Sequence, residues 1–345
     1  MKIIYLTDIH DALRDLRILL KSTQADLYLL SGDILYKAFY DEDKIYQFVC
    51  IQEELETLAR ERSPKIFPFD LASDILRFPE NYNNSSELLE KAAEYRLLFN
   101  KAAKTMKEKY GLIEHLIQKY GNAECRLLPG NYDIDLRYTA LSDRNLHQNR
   151  MKFRNLVIAG YGGAPIATSG IPEKLAVVFH ERLVNGRLYS EPEEFFQEVE
   201  PDILVIHNPA YGFFDRIPTL GHIGSQGIRS YLDHYYPMLV VSGHVHEDYG
   251  VALKNGTVLM NTSNFGGVDS TTGFQTGGTF AEIYVEKKNI TRIVLNRLID
   301  EKIHPLLDIE NNGTALRGKI LPDAEKYSNL DLSAFVRDSS GAIIT

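Results

Sequence analysis

Two cysteines in 345 residues, Cys50 and Cys125, follow no zinc-ligand spacing and are too few for a disulfide framework. They read as buried thiols. No apolar run approaches the roughly 18 residues that a membrane-spanning helix needs. Positive charge is short as well: 38 Lys and Arg stand against 47 Asp and Glu, a formal net charge of −9 with a pI near 5.6. That balance speaks against a general nucleic-acid binder working through a basic surface, while leaving room for a local basic groove. The glycine-rich turn Gly160–Gly163 is followed by no GKS or GKT, so it is not a P-loop. No Ser or Cys sits in a persuasive nucleophile motif, and no internal repeat stands out. The chain opens directly on a strand, without a basic segment and a cleavable apolar one, and the expectation is a soluble cytoplasmic protein.

What is present is a series of apolar strands ending in polar residues. Hydrophobic residues at 44% and charged residues at 25% are ordinary for a globular chain. MKIIYLTDIH ends in Asp8 and His10, LYLLSGDIL in Asp33, CRLLPGNYDI in Asn131 and DILVIHNPAYG in His207. PMLVV runs into SGHVHEDYG, which carries His244 and His246. In open α/β sheets the carboxyl ends of strands form the ligand crevice. If the chain stays extended through His244 and His246, the two imidazoles point the same way and can converge on one point. Neutral imidazole is the commonest metal ligand, yet a pair supplies only half a coordination shell. Singly, each residue has a plainer reading: an Asp after a strand is most often a helix cap, and HxH arises by chance.

In chain order, residues 1–37 read as a βαβ unit. Residues 38–121 then turn charged and helical in period, with Ser85 and Ser86 as candidate caps, Gly111 and Gly121 as breaks, and SPKIFPFDLASDILRFPENYNN as an irregular connection between helices. This excursion is either a cap beside the mouth of the site or a set of helices covering the sheet. HERLVNGRLYSEPEEFFQEVEPD contains a helix ahead of the DILVIH strand, and another helix begins after Ser225. GVALKNGTVLMNTS carries the Asn-Gly hairpin signal, and GTFAEIYVEKKNITRIVLNRL is a second hairpin. These antiparallel strands suggest a second sheet packed on the first. From Glu301 the expectation is a docked segment and a frayed tail, DSSGAIIT.

The blocks TDIH, SGDI, GNYD, VIHNP and SGHVHE, in that order, resemble the calcineurin-like metallophosphoesterase superfamily, whose pattern is DxH, GD, GNH followed by an acid, a strand-end His, and GHxH. HNPAYGFFD, GHIGS and SGHVHEDYG with NTSNFGG are also similar to a branch of predicted phosphoesterases with a HxPPYG, GHxGS and GHxHE pattern. That branch tends to lack His in the GNH block, where this chain has Tyr132.

The resemblance implies an α/β fold, a β-sandwich of two mixed sheets flanked by helices. Its domain would cover 1–300, interrupted by the 38–121 insertion, with 301–345 as the docked segment. It places Asp8, His10 and His246 on one metal, Asn131, His207 and His244 on another, and Asp33 between them. Independently, hard oxygens mixed with imidazoles and no thiolate suit Mn²⁺, with Fe or Zn²⁺ as alternatives. The expected activity is phosphodiester hydrolysis by a metal-bridging hydroxide, with a small phosphoester, a cyclic nucleotide being one candidate, as substrate and neither membrane nor nucleic acid as partner. A phosphomonoesterase, a nuclease or a weakly active metal-binding scaffold of the same fold are the alternatives. Tyr132 and His222 are the candidate proton donors or substrate contacts, and Asp133 and Asn208 could orient ligands from behind.

Overall fold

The computed structural model describes residues 1–62, 66–165, 168–270 and 273–338. The first strand, β1 (Lys2–Leu6), is at the heart of a seven-stranded sheet. It pairs in parallel with β2 (Leu27–Ser31), which pairs in parallel with β3 (Glu124–Leu128). On its other side β16 (Thr279–Glu286), β17 (Asn289–Ile299), β18 (Lys302–Asn311) and β19 (Leu316–Ile320) continue the sheet antiparallel. Side chains alternate as the pleat demands: Ile3 and Tyr5 face a second sheet, while Ile4 and Leu6 face the helices. With both faces covered, β1 and β2 carry nearly unbroken apolar sequence.

The second sheet also has seven strands. Its parallel core is β5 (Leu156–Tyr161), β8 (Ile203–Ile206), β11 (Leu239–Ser242) and β13 (Thr257–Asn261); β4 (Asn149–Phe153), β12 (Gly250–Lys254) and the short β20 (Val336–Arg337) complete it. The Asn-Gly turn joins β12 to β13 with both residues at positive φ, as a two-residue hairpin requires. Minor two-stranded ribbons are β6 (Glu181–Val184) with β7 (Arg187–Ser190), β9 (Arg216–Ile217) with β10 (Gly221–His222), and β14 (Val268–Ser270) with β15 (Gly273–Gln275). The antiparallel strands after the two histidines do not make a sheet of their own: β12 and β13 join the second sheet and β16–β19 the first. Each hairpin can extend whichever sheet edge its apolar face reaches.

Helix α1 (Leu13–Ser22) packs on the outer face of the first sheet through Leu16, Leu19 and Leu20. Over the same face lie α2 (Glu42–Arg60), capped by Asp41, then α3 (Pro68–Arg77), and α4 (Ser86–Tyr120), capped by Ser85. Two expectations need correction here. The stretch after Phe67 is not irregular but forms α3, because Pro68 occupies the first helical turn, where its missing N–H is harmless. Its start, Ser63 to Lys65, lies outside the described residues. Gly111 does not break α4, since an interior glycine costs only about 1 kcal/mol and buried Tyr110 and Ile113 hold it on both sides. On the second sheet's outer face pack α5 (Glu191–Val199) and α6 (Gln226–His234), the latter capped by Ser225. The hairpin β6–β7 ahead of α5 turns on a second Asn-Gly pair, Asn185 and Gly186, which sequence reasoning passed over. Beyond Glu301 the chain supplies β18 and β19 to the first sheet, then a short helix α7 (Ala324–Tyr327) and β20; the expected frayed end, residues 339–345, lies outside the described residues. No helix among the described residues is long and apolar enough to cross a membrane.

Candidate metal centre

The loops that follow β1 and β2 run on side by side beyond the strands. Asp8 N donates to Gly32 O at 3.0 Å, His10 N to Asp33 O at 2.9 Å and Asp11 N to Ile34 O at 3.2 Å. This places Asp8, His10 and Asp33 at one sheet edge, each in the left-handed region with φ of 54°, 45° and 44°. His244 joins them at φ 69°. Non-glycine residues there cost on the order of 1 kcal/mol each, a strain that persists only where surrounding contacts over-determine it. Glycines make room for the approach: a side chain on Gly32, itself at φ +99°, would collide with the His207 ring, and one on Gly243 with Thr7 and the Asp8 carboxylate.

Two groups of donors result. Asp8, His10 and His246 offer ligand atoms within 4.8 Å of one another, and so do Asp33, His207 and His244. His244 and His246 therefore do not converge on one point: His244 leaves the extended conformation, so the two imidazoles turn to different groups. In the first group, His246 Nε2 lies 3.0 Å from Asp8 Oδ1 and 3.4 Å from His10 Nε2. In the second, His207 Nε2 is 3.4 Å from Asp33 Oδ1 and 3.1 Å from Asn131 Oδ1, while its Nδ1 donates to Ser31 O at 2.9 Å. Asn131 also donates through Nδ2 to Thr168 Oγ1 at 2.7 Å, leaving its carbonyl oxygen turned to the group. His244 Nε2 is buried and has no hydrogen-bond partner. An orphaned imidazole nitrogen beside a carboxylate, and two Nε2 atoms facing each other, fit a cation in each group.

Burial is the largest influence on every one of these groups. It lowers His10 to about 4 and His244 to about 3, so both imidazoles are neutral with a lone pair to give. Burial would also neutralise His207, but Asp33, Asp8 and the Ser31 carbonyl outweigh it and raise this histidine to about 9. His246 is likewise raised against burial, by Asp8. In return, the histidines hold Asp8 and Asp33 below the usual carboxylate range although burial opposes it. Without cations, each group thus pairs a carboxylate with one imidazole that it shifts upward and one that burial shifts downward.

Three further features frame the centre. Asp133 is fully buried and accepts from Ile34 N at 2.9 Å, Leu35 N at 3.2 Å, Gly130 N at 2.8 Å and the Tyr110 hydroxyl at 2.7 Å, so it ties the Asp33 loop to the Asn131 loop. The turn after β13 holds the histidine loop: Asn261 Nδ2 donates to Val245 O and Asp248 O, Ser263 Oγ to His246 O, and Gly266 N to Asp8 O. Tyr132 donates its backbone N–H to Asp33 Oδ1 at 2.9 Å, and its ring meets His10 edge-on at 5.8 Å and Tyr36 at 5.7 Å. Burial, then Asp33, pushes its hydroxyl up to about 12. Four of the donors, Asp33, Asn131, His244 and His246, line a cavity of about 630 Å³ whose wall also includes Tyr132, Val49 of α2, Glu247 and Asp269.

The structure brings together all seven ligand candidates, with Tyr132 beside them. His222 stands apart: it is not among the cavity's lining residues, and its half-exposed ring pairs through Nδ1 with buried Asp215 at 2.6 Å. Asn208 is buried with neither side-chain polar atom partnered. Sequence reasoning missed Asp11, Lys109 and Tyr110. Lys109 left a trace, since it falls on the stripe of Ala102, Met106, Ile113 and Ile117 that α4 buries.

No protein family profile and no curated protein matches this chain. Among solved structures, one crystal structure superposes with a TM-score of 0.50 at 16% identity, over 86% of this chain and 98% of that one. Weaker likenesses include Vps29, as a single mutant, from Entamoeba histolytica (TM-score 0.36, 10% identity, 90% and 100% of the two chains) and a predicted phosphoesterase from Streptococcus pneumoniae TIGR4 (0.34, 10%, 92% and 97%). At these identities the likeness is one of fold. The fold is a sandwich of two mixed sheets flanked by helices, with candidate metal-ligand groups at the strand ends.

Proposed function

We propose that this chain is a dinuclear, metal-dependent phosphoesterase that hydrolyses phosphodiesters, a cyclic nucleotide being one candidate substrate. The observation that supports it most is the pair of donor groups, each one carboxylate and two imidazoles, which reach a single cavity through His246 on one side and Asp33 and His244 on the other. In this reading Asp8, His10 and His246 hold one cation, Asn131, His207 and His244 the other, and Asp33 is shared. Oxygen and nitrogen donors without thiolate favour Mn²⁺, with Fe or Zn²⁺ as alternatives. Such cations lower the pKa of water from about 15.7 toward about 7 and neutralise phosphoryl oxygens.

The protein's part is positioning. The Ser31 carbonyl fixes the tautomer of His207 by accepting from Nδ1, which turns Nε2 to the centre. The Tyr132 hydroxyl keeps its proton at neutral pH and can donate a hydrogen bond to a departing oxygen, but is poorly matched to full proton transfer. None of the described cavity-lining residues is Lys or Arg, whereas Asp33, Glu247 and Asp269 are acidic. A singly charged diester suits that wall better than a dianionic monoester.

Metal analysis of the purified protein, paired with a screen of monoesters and diesters under Mn²⁺, tests the reading. Two metals per chain and faster turnover of diesters are expected. A protein that takes up no metal and turns over neither class would be a binding scaffold instead.

A further inference from the structure

We infer that helix α4 is the clamp of this centre, with Lys109 and Tyr110 as positioning residues, one for each donor-bearing edge. The inference rests on the proposed metal centre for its functional meaning and on hydrogen bonds for its geometry. Lys109 is buried, and its Nζ donates to Asp11 Oδ2 at 2.9 Å and to Lys37 O at 2.7 Å. The same Asp11 oxygen accepts from Tyr36 N and Lys37 N, each at 3.2 Å. Lys109 thereby joins the residue after His10 to the loop that follows Asp33. Tyr110 is fully buried, and its hydroxyl donates to Asp133 Oδ1 at 2.7 Å and accepts from Ile134 N at 3.3 Å. Asp133 in turn holds the amides of Ile34, Leu35 and Gly130, which flank Asp33 and Asn131.

Both residues lie on the stripe that α4 buries, but burial by itself does not call for an ammonium or a hydroxyl at those positions. A buried ammonium and a buried phenol are costly unless fully partnered, and here every partner lies on a donor-bearing loop or its immediate continuation. The loops are strained, with Asp8, His10, Asp11 and Asp33 all at positive φ, and strained backbone needs outside contacts to hold it. A 35-residue helix anchored on the first sheet supplies a rigid support for both.

The test compares Tyr110→Phe and Lys109→Met with Tyr95→Phe, a control on the same helix whose hydroxyl donates to half-buried Glu173 at 2.6 Å rather than to a donor loop. Amide hydrogen exchange of the metal-free proteins and Mn²⁺ affinity by calorimetry are both read. Tyr110→Phe should speed exchange at Ile34, Leu35 and Gly130, and Lys109→Met at Tyr36 and Lys37, while Tyr95→Phe leaves all five as in the parent. Each clamp variant should weaken Mn²⁺ binding by about 10-fold or more, and the control should not. Exchange at these amides equal to the control's overturns the clamp, whatever the metal does; so does local opening with Mn²⁺ affinity unchanged from a binding parent. If the parent itself binds no Mn²⁺ while the exchange pattern holds, the clamp of the loops stands and the metal reading falls.

Discussion

Asp8 and His10 come from the first sheet and meet His246 from the second, whereas Asp33 comes from the first and meets His207 and His244 from the second. The two groups share a composition in mirrored proportions. In the absence of cations, each pairs one carboxylate with one histidine that the carboxylate shifts upward and one that burial shifts downward: Asp8 with His246 and His10, Asp33 with His207 and His244. They differ in support. The first is backed by Asp11 and the turn at Ser263 and Gly266, the second by Asp133 and the Ser31 carbonyl. Neither group exists on one sheet alone, so the centre forms only when the sandwich closes, and ligand binding is then linked to folding.

The sharpest way to break this symmetry is at the carboxylates. Asp33→Ala should lower kcat by at least about 10³-fold and weaken both metals, because the shared ligand is lost. Asp8→Ala should deplete mainly one, leaving close to one metal per chain by elemental analysis. Equal loss from both variants would mean that the groups are not separate sites.

Tyr132 touches both groups, Asp33 through its backbone and His10 through its ring. With its hydroxyl pushed up to about 12, Tyr132 would supply little of the general acid catalysis that is typically worth about 10²–10⁴-fold. Aryl diesters should therefore be cleaved far faster than alkyl ones, and Tyr132→His should narrow the gap by accelerating the poor leaving groups. A leaving-group dependence that is shallow in the parent and steepens in His222→Ala would assign the proton to the His222–Asp215 pair instead.

The close approaches offer a gentler probe. Gly243→Ala drives a methyl into Thr7 and the Asp8 carboxylate, and Gly32→Ala drives one into His207 from a backbone that disfavours any side chain. Each should weaken one cation by about 10–100-fold and the other much less, as titration calorimetry would resolve.

Outside both groups, His147 separates the scaffold's response to pH from the centre's. Burial lowers this histidine to about 4, and its Nδ1 accepts from Gly162 N at 3.0 Å, so the fold requires it neutral. The unfolded chain binds its proton near pH 6.5, so between about 6.5 and 4 the unfolded state holds more protons and stability falls as pH falls. His147→Gln keeps an acceptor and should flatten that slope by on the order of 2 kcal/mol, read from urea melts at pH 7 and pH 4.5. An unchanged slope would place the acid sensitivity elsewhere.

The sequence by itself determined which residues meet and in which local form. Strands ending in Asp8, Asp33, Asn131, His207 and His244 are written in apolar runs, and the glycines beside them are legible because donor loops this close leave no space for a side chain. Caps at Ser85 and Ser225 and the Asn-Gly turn before β13 are equally local, each settled by a hydrogen bond or a φ value within a few residues. The resemblance already divided His244 and His246 between two sites, but only the tertiary structure gave the physical reason, a positive φ at His244 that turns the two imidazoles apart. The tertiary structure also decided that β16–β19 extend the first sheet, and that Lys109 and Tyr110 reach from α4 to Asp11 and Asp133. Lys109 and Asp11 are 98 positions apart and Tyr110 and Asp133 are 23 apart, and the energies of such pairings depend on packing and desolvation that no local pattern encodes.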